Sequence, residues 1–158
     1  TMLVAIGEIT TQQAKGTQTT LQAVTHLLNY CATHPKATIR YIASDMCLHV
    51  KSDASCLLVS KAQSRVSGFH YLSSRPSDPT KALDATDPPP PSNGAVLTPC
   101  HKIRAVVSSA AEAKLGGLFY NGKEACPICI MLEELVHPQP PAVLVTNNST
   151  ATGIRCCC

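Results

Sequence analysis

The sequence predicts an α/β fold built on a mixed β-sheet flanked by helices. Segments at 38–55, 66–72 and 95–106 have the composition of extended strands. A helical segment then leads to residues 142–146, a short apolar run of the kind found in buried parallel strands. Three strands in sequence, followed by a helical crossover to a parallel fourth strand, indicate a mixed sheet.

Composition limits the class of protein. The chain has 158 residues, enough for one domain or one domain plus an arm, and 44% of them are hydrophobic. Net charge is +3 with scattered Lys and Arg, which permits a nucleic-acid partner without requiring one. Residues 1–6 are too short for a secretory signal, and no apolar run approaches about 18 residues. We therefore expect an intracellular chain with no membrane partner, whose nine cysteines are mostly reduced.

The N-terminal elements are predicted from periodicity and stop signals. The apolar run at 2–6 predicts an edge strand. Helical spacing predicts a helix from Thr17 to Cys31, capped by Thr17 or Thr19 and stopped at Pro35. Its apolar stripe consists of Leu21, Val24, Leu28 and Cys31.

Further along, side chains alternate between two faces from Met46 onward, and Asp53 is predicted to end the strand. Residues 73–94 predict a flexible proline-rich loop. One helix is predicted for 108–121, with its buried stripe at Val107, Ala111, Leu115 and Leu118. A second helix runs to Leu135 with Pro127 in its first turn, and 149–155 open another.

Five short sequence motifs resemble motifs of copia-type retrotransposon polyproteins, and they occur in the same order along the chain. Residues 27–41 resemble the segment that follows the polymerase domain, and Ser52-Asp-Ala-Ser resembles the first nuclease strand. The segment 62–72 resembles the turn and second strand. Residues 108–119 resemble the family's Ser-(Ser/Ala)-x-Glu-Ala-Glu helix, and 146–151 its Thr-Asp-Asn-Ser-Thr-Ala motif.

This resemblance implies a reverse transcriptase connection in 1–44, a ribonuclease H-like domain in 45–154 and a Cys-rich tail in 155–158. It implies a fold truncated at the C-terminus and, as partners, RNA–DNA hybrids and the rest of the retroelement polyprotein. The family hydrolyses the RNA strand with two Mg²⁺ ions, which need several converging carboxylates.

The resemblance carries Asp53 over as the first catalytic acid and metal ligand. Lys114 and Asn147 stand at two positions where the family motifs have acids. Glu112 and Lys114 point about 160° apart on a helix, so only one of them faces the metals. The apolar stripe favours position 114, and Glu112 remains the alternative ligand. We therefore expect a degenerate active site that binds no Mg²⁺ productively and does not cleave RNA.

Other interpretations stay open at this stage. One is a non-catalytic nucleic-acid- or protein-binding domain of the same fold, with Lys61 and Arg65 among the candidate nucleic-acid contacts. Another is a small zinc-binding module, since Cys126 and Cys129 have metal-ligand spacing and Cys100 precedes His101.

Overall fold

The computed structural model describes residues 2–59, 63–74, 91–147 and 155–156, with side chains at 57–59 and 155–156 left aside. Most of the predicted helix at 149–155, Lys61, most of the loop at 73–94 and most of the Cys-rich tail lie outside this part of the chain, and Arg155 belongs to a strand instead. Contacts divide the chain into two compact units, Thr1–Ile39 and Arg40–Cys158.

The first unit contains two helices joined by a short 3₁₀ turn at Gln13–Lys15. Helix α1 spans Met2–Thr11 and helix α2 spans Gln18–Thr33. The predicted edge strand at 2–6 is therefore wrong. A five-residue apolar run fits the residue period of a helix and that of a strand. The helix continues past this run to Thr11, whose hydroxyl donates to the Glu8 carbonyl at 2.7 Å.

Helix α2 begins and ends where the sequence predicts. The Thr17 side chain accepts from the Thr20 backbone N–H, and the Thr20 hydroxyl accepts from the Thr17 backbone N–H, which makes a capping box. The helix ends at Thr33, just before Pro35. The predicted stripe is not a buried face, however, because Leu21 is 56% exposed and Leu28 is 62% exposed. Instead Ala23, Leu27 and Tyr30 line a groove of about 300 Å³ with residues of α1.

The second unit is α/β with a six-stranded mixed sheet. Its strands are β1 Cys47–Val59, β2 Gln63–Ser73, β3 Ala95–Leu97, β4 Cys100–Lys102, β5 Ala142–Thr146 and β6 Arg155–Cys156. The order is β3-β2-β1-β5-β6, and β4 also pairs with β2. Only β1 and β5 run parallel, while the other described pairs are antiparallel. The predicted strand at 95–106 is two short strands around Pro99, which has no N–H for a ladder.

One helix crosses from β4 to β5. Helix α3 spans Ala110–Glu134, so the two helices predicted on either side of Asn121 are one. Pro127 lies inside the helix rather than in a first turn. It is exposed, and because proline has no backbone N–H it cannot donate to the carbonyl of Lys123 one turn before it.

Of the predicted stripe, Val107 and Leu118 are buried, but the rest of the buried face of α3 differs from the prediction. Ala111 is exposed and Leu115 is 48% exposed, whereas the helix packs through a row of mostly small residues. A Cβ on Gly117 would lie 3.2 Å from the Ala54 Cβ, so the helix backbone approaches β1 closely. Small side chains carry little hydropathy signal, which is why periodicity pointed to the larger leucines. The buried residues of α3 are Ala113, Gly117, Leu118, Asn121, Gly122, Ala125, Cys129 and Leu132.

Candidate site at the ends of the parallel strands

The parallel ladder between β1 and β5 stops beside two positions that the sequence singled out. The last paired residues are Ser52 and Thr146, so Asp53 and Asn147 are the next residue on each strand. Neighbouring strands are about 4.8 Å apart, which makes these two residues adjacent across the sheet. Asp53 does not end its strand as predicted, because β1 continues to Val59 in its antiparallel pairing with β2. Strand β5, the parallel partner of β1, ends at Thr146.

Lys114 reaches this point from α3. Its Nζ donates to the Asn147 Oδ1 at 2.5 Å. The Lys114 side chain is half-buried and Asn147 is exposed. The carboxyl ends of parallel strands commonly carry the ligand sites of α/β proteins. At this end of the sheet, the ammonium of Lys114 contacts the amide of Asn147.

Glu112 has a different role at the start of the same helix. The Ser109 hydroxyl accepts from the Glu112 backbone N–H at 3.1 Å, which caps α3. The Glu112 Oε2 accepts from the Ser108 backbone N–H at 2.7 Å and from the Ser108 hydroxyl at 2.8 Å. These hydrogen bonds hold the pKa of the exposed Glu112 carboxyl below its ordinary value. Its carboxylate is therefore engaged at the helix N-terminus, away from the Lys114–Asn147 contact.

Asp53 is exposed, and its Oδ1 accepts from the Ala54 backbone N–H at 2.9 Å. Its neighbours Ser52 and Ala54 are buried on the side of the sheet that packs against α3. Strand alternation therefore directs the Asp53 side chain to the other side.

A buried amide fixes α3 over the sheet next to this site, and sequence reasoning missed it. The Asn121 Nδ2 donates to the Ser52 Oγ at 2.8 Å and to the Ser67 carbonyl at 3.1 Å. Asn121 is 1% exposed. Gly68 makes room for it, because a Cβ there would overlap the amide and lie 2.9 Å from the Pro99 Cγ. An Asn in an otherwise small or apolar helix face is the sequence signal that was available.

Buried histidines complete the polar interior of the sheet. The His70 Nε2 lies 3.2 Å from the Asn121 carbonyl, and the His49 Nε2 lies 3.0 Å from the Ser74 carbonyl. Burial lowers the pKa of both imidazoles, and these hydrogen bonds oppose the shift in part. Both side chains are consequently neutral at pH 7.

The donor set at the strand ends does not fit two Mg²⁺ ions. Mg²⁺ prefers carboxylate oxygens in an octahedral arrangement. Asp53 supplies one carboxylate, the Asn147 amide oxygen is uncharged, and the Lys114 ammonium repels a dication. In the part of the chain that the structure describes, no group of three or more His, Cys, Asp and Glu side chains is positioned to hold a metal ion.

The remaining candidates are dispersed. Cys129 is fully buried in the core between α3 and the sheet, and Cys126 is partly buried. Six of the described cysteines are outside any disulfide: Cys31, Cys47, Cys56, Cys100, Cys126 and Cys129. Arg65 is 6% exposed with its Nη1 3.8 Å from the Cys100 Sγ, so its guanidinium is poorly placed to contact a backbone phosphate.

Comparison with protein-family models finds no match to this chain, and comparisons with curated proteins and with solved structures find none either. Among the residues described, no helix has the length and apolar character needed to cross a membrane.

Proposed function

We propose that this chain is a fragment of a copia-type retrotransposon polyprotein whose ribonuclease H-like domain binds RNA–DNA hybrids without cleaving them. The strand order, with one parallel pair joined by a helical crossover, is compatible with a ribonuclease H-like fold. The five sequence motifs support the family. In this proposal residues 1–44 are the connection to the polymerase and 45–154 the nuclease-like domain.

The contact between Lys114 and Asn147 is the observation that carries the proposal. By resemblance, Asp53, position 114 and position 147 are three acidic positions of the nuclease. A hydrogen bond joins positions 114 and 147, while Asp53 follows the last residue of β1 paired with β5 and its side chain is directed to the face of the sheet opposite α3. The combination of one carboxylate, one amide and one ammonium cannot concentrate two dications, so two-metal hydrolysis has no support here. An ammonium at this place instead favours contact with a backbone phosphate.

The first test is cleavage of a labelled RNA–DNA hybrid by the whole chain with Mg²⁺ or Mn²⁺. We expect no cleavage, together with binding that weakens as salt rises, because phosphate contacts release counterions. Lys114→Ala should weaken the binding of the hybrid, whereas Glu112→Gln, the matched control on the same helix, should leave it unchanged. Cleavage by the wild-type chain that is lost in Asp53→Asn would overturn the proposal.

Restoring the acids tests the same site from the other direction. We expect Lys114→Glu/Asn147→Asp to gain Mn²⁺ binding in calorimetry, because two carboxylates would then stand where the ammonium now contacts the amide. Adding Asp53→Asn to this pair should leave the gain in place, because the Asp53 side chain is directed to the other face of the sheet. If the double variant folds and binds no more Mn²⁺ than the wild type, positions 114 and 147 are not the remains of a metal site.

A further inference from the structure

The face of the sheet opposite α3 carries a second group of side chains. Residues that pair across strands share a face of a sheet. On this face Lys51 of β1 lies between Val145 of β5 and Phe69 of β2. The next position along β1 on this face is Asp53, which pairs with Ser67. Lys102 of β4 completes the group from the far side of β2. We call these residues the open face: Lys51, Asp53, Ser67, Phe69, Lys102 and Val145.

The open face is accessible at its centre. Lys51 is exposed, Val145 is 43% exposed, and Phe69 and Lys102 are partly exposed. Helix α3, which supplies the core contacts of this unit, packs on the other face through residues such as Leu118.

One end of the same face is closed. His49 and Tyr71 are each 2% exposed, and their rings stack with centroids 5.6 Å apart. The His49 Nε2 lies 3.0 Å from the Ser74 carbonyl. A ligand therefore has access to the Phe69 end of the aromatic row and not to the Tyr71 end.

The aromatic row has one cation beside it. The Phe69 and Tyr71 centroids are 5.5 Å apart, with ring planes tilted by 46°. The Lys51 Nζ lies 5.4 Å from the Tyr71 centroid and donates to the Ser92 Oγ at 2.7 Å. These contacts fix the ammonium of Lys51, the residue that pairs with Phe69 across the two strands. An accessible aromatic ring with a lysine on the neighbouring strand can stack a base and hold a phosphate of the same nucleic-acid strand.

The charges on the central strand disfavour a docked apolar helix. Lys51 and Asp53 both lie on β1, in the middle of the sheet. An apolar helix laid over them would bury two charges, and burying charges without partners is strongly unfavourable. A single nucleic-acid strand leaves these groups hydrated and offers phosphates to the two lysines. The Asp53 carboxylate opposes such phosphates, so the favourable contacts lie around Lys51 and Lys102.

We propose that the open face binds single-stranded nucleic acid, with a base stacked on Phe69 and two phosphates of the same strand on Lys51 and Lys102. This site lies beyond the proposed hybrid-binding function, because it uses neither Lys114 nor Asn147. It also differs from duplex recognition chemically, since an unpaired strand exposes the base faces that an aromatic ring can stack against.

The test is fluorescence anisotropy of a labelled oligo-dT 12-mer with the full 158-residue chain. We expect Phe69→Leu, which keeps apolar volume and loses the ring, to weaken binding by about fivefold or more. Phe69→Tyr should restore wild-type affinity. Lys51→Gln should lower the slope of log affinity against log salt by about 0.7, the value for one phosphate contact on a single strand. Lys123→Ala, at an exposed lysine of α3, is the control and should change neither quantity.

Three results would overturn the proposal: no binding of the oligonucleotide by the wild type in 50 mM salt, binding unchanged in Phe69→Leu, or binding of an acidic amphipathic helical peptide in place of the oligonucleotide. Measuring hybrid binding in the same variants separates the two proposals. Loss of hybrid binding only in Lys114→Ala with no single-strand binding contradicts the open face alone. Single-strand binding that depends on Phe69, without any hybrid binding, contradicts the proposed function alone.

Discussion

At position 121 the buried face of α3 carries an amide among small and apolar neighbours. The Asn121 Nδ2 has two acceptors on the sheet, and Gly68 leaves the space that the amide occupies. A buried hydrogen-bond donor is stabilising only while its acceptors are in place. Without them the unpaired donor bears the full desolvation penalty. The polar network thus depends on two residues from distant parts of the sequence.

Paired substitutions test this dependence. We expect Asn121→Ala to lower the free energy of unfolding by about 1–3 kcal/mol, because it leaves the Ser52 hydroxyl without its donor. Gly68→Ala should also destabilise the fold, since its Cβ would overlap the amide. In the double variant the overlap with the amide is gone, so the loss should be smaller than the sum of the two single losses. Urea denaturation measures all three, and strict additivity would contradict the contact.

At the scale of elements, the two long helices begin at side-chain caps that are visible in the sequence. Thr17 caps α2 and Ser109 caps α3. The end of α3 is less regular. The His137 N–H donates to the Leu132 carbonyl and the Val136 N–H to the Glu133 carbonyl, which is the Schellman arrangement. Val136 therefore occupies the position that usually holds glycine, with φ of 66°.

Replacing that valine should stabilise the chain. A β-branched residue at positive φ is strained, and Val136 is 84% exposed, so little packing is lost with it. We expect Val136→Gly to raise the free energy of unfolding by about 0.5–1 kcal/mol, after the added entropy of the unfolded chain is subtracted. Val106→Gly is the control, because this valine is 96% exposed and has no positive φ. Thermal unfolding should show a gain for the first variant and none for the second; equal shifts would mean that Val136 is not strained.

At the scale of the whole molecule, the unit Arg40–Cys158 depends on neutral histidines inside its sheet. Burial lowers the pKa of His49 and His70 below the ordinary value of 6.5. The unfolded chain therefore binds protons at a higher pH than the folded chain does. Stability is complete above about pH 6.5 and falls as the pH drops below it, toward the lowered folded values.

The expected result is a urea midpoint that is constant from pH 8 to pH 7 and declines between pH 6.5 and pH 5. His70→Gln should reduce the size of this decline, because one of the two titrating groups is then absent. His101→Gln, at an exposed histidine of β4, should leave the decline as it is in the wild type. A midpoint that does not change between pH 7 and pH 5 would contradict the buried neutral state.

The sequence by itself determined the features whose causes are local. The boundaries of α2 follow from Thr17 and Pro35, and the strand β5 follows from a continuous apolar run. The order of strands, crossover helix and parallel strand was also predictable, because the spacing of apolar residues that distinguishes a helix from a strand is contained within each segment. The α/β class with a mixed sheet is confirmed on these grounds, while the ribonuclease H-like assignment remains a proposal.

Only the tertiary structure decided features that depend on what a segment packs against. The apolar run at 2–6 is compatible with a helix and with a strand to the same degree. The face of α3 is set by close approach of Gly117 to Ala54, which hydropathy does not register. The contact of Lys114 with Asn147 joins residues 33 positions apart, and the open face around Phe69 exists only because three strands share one register. Local signals define elements, whereas packing between distant segments decides which face of an element is buried and which is left to bind a ligand.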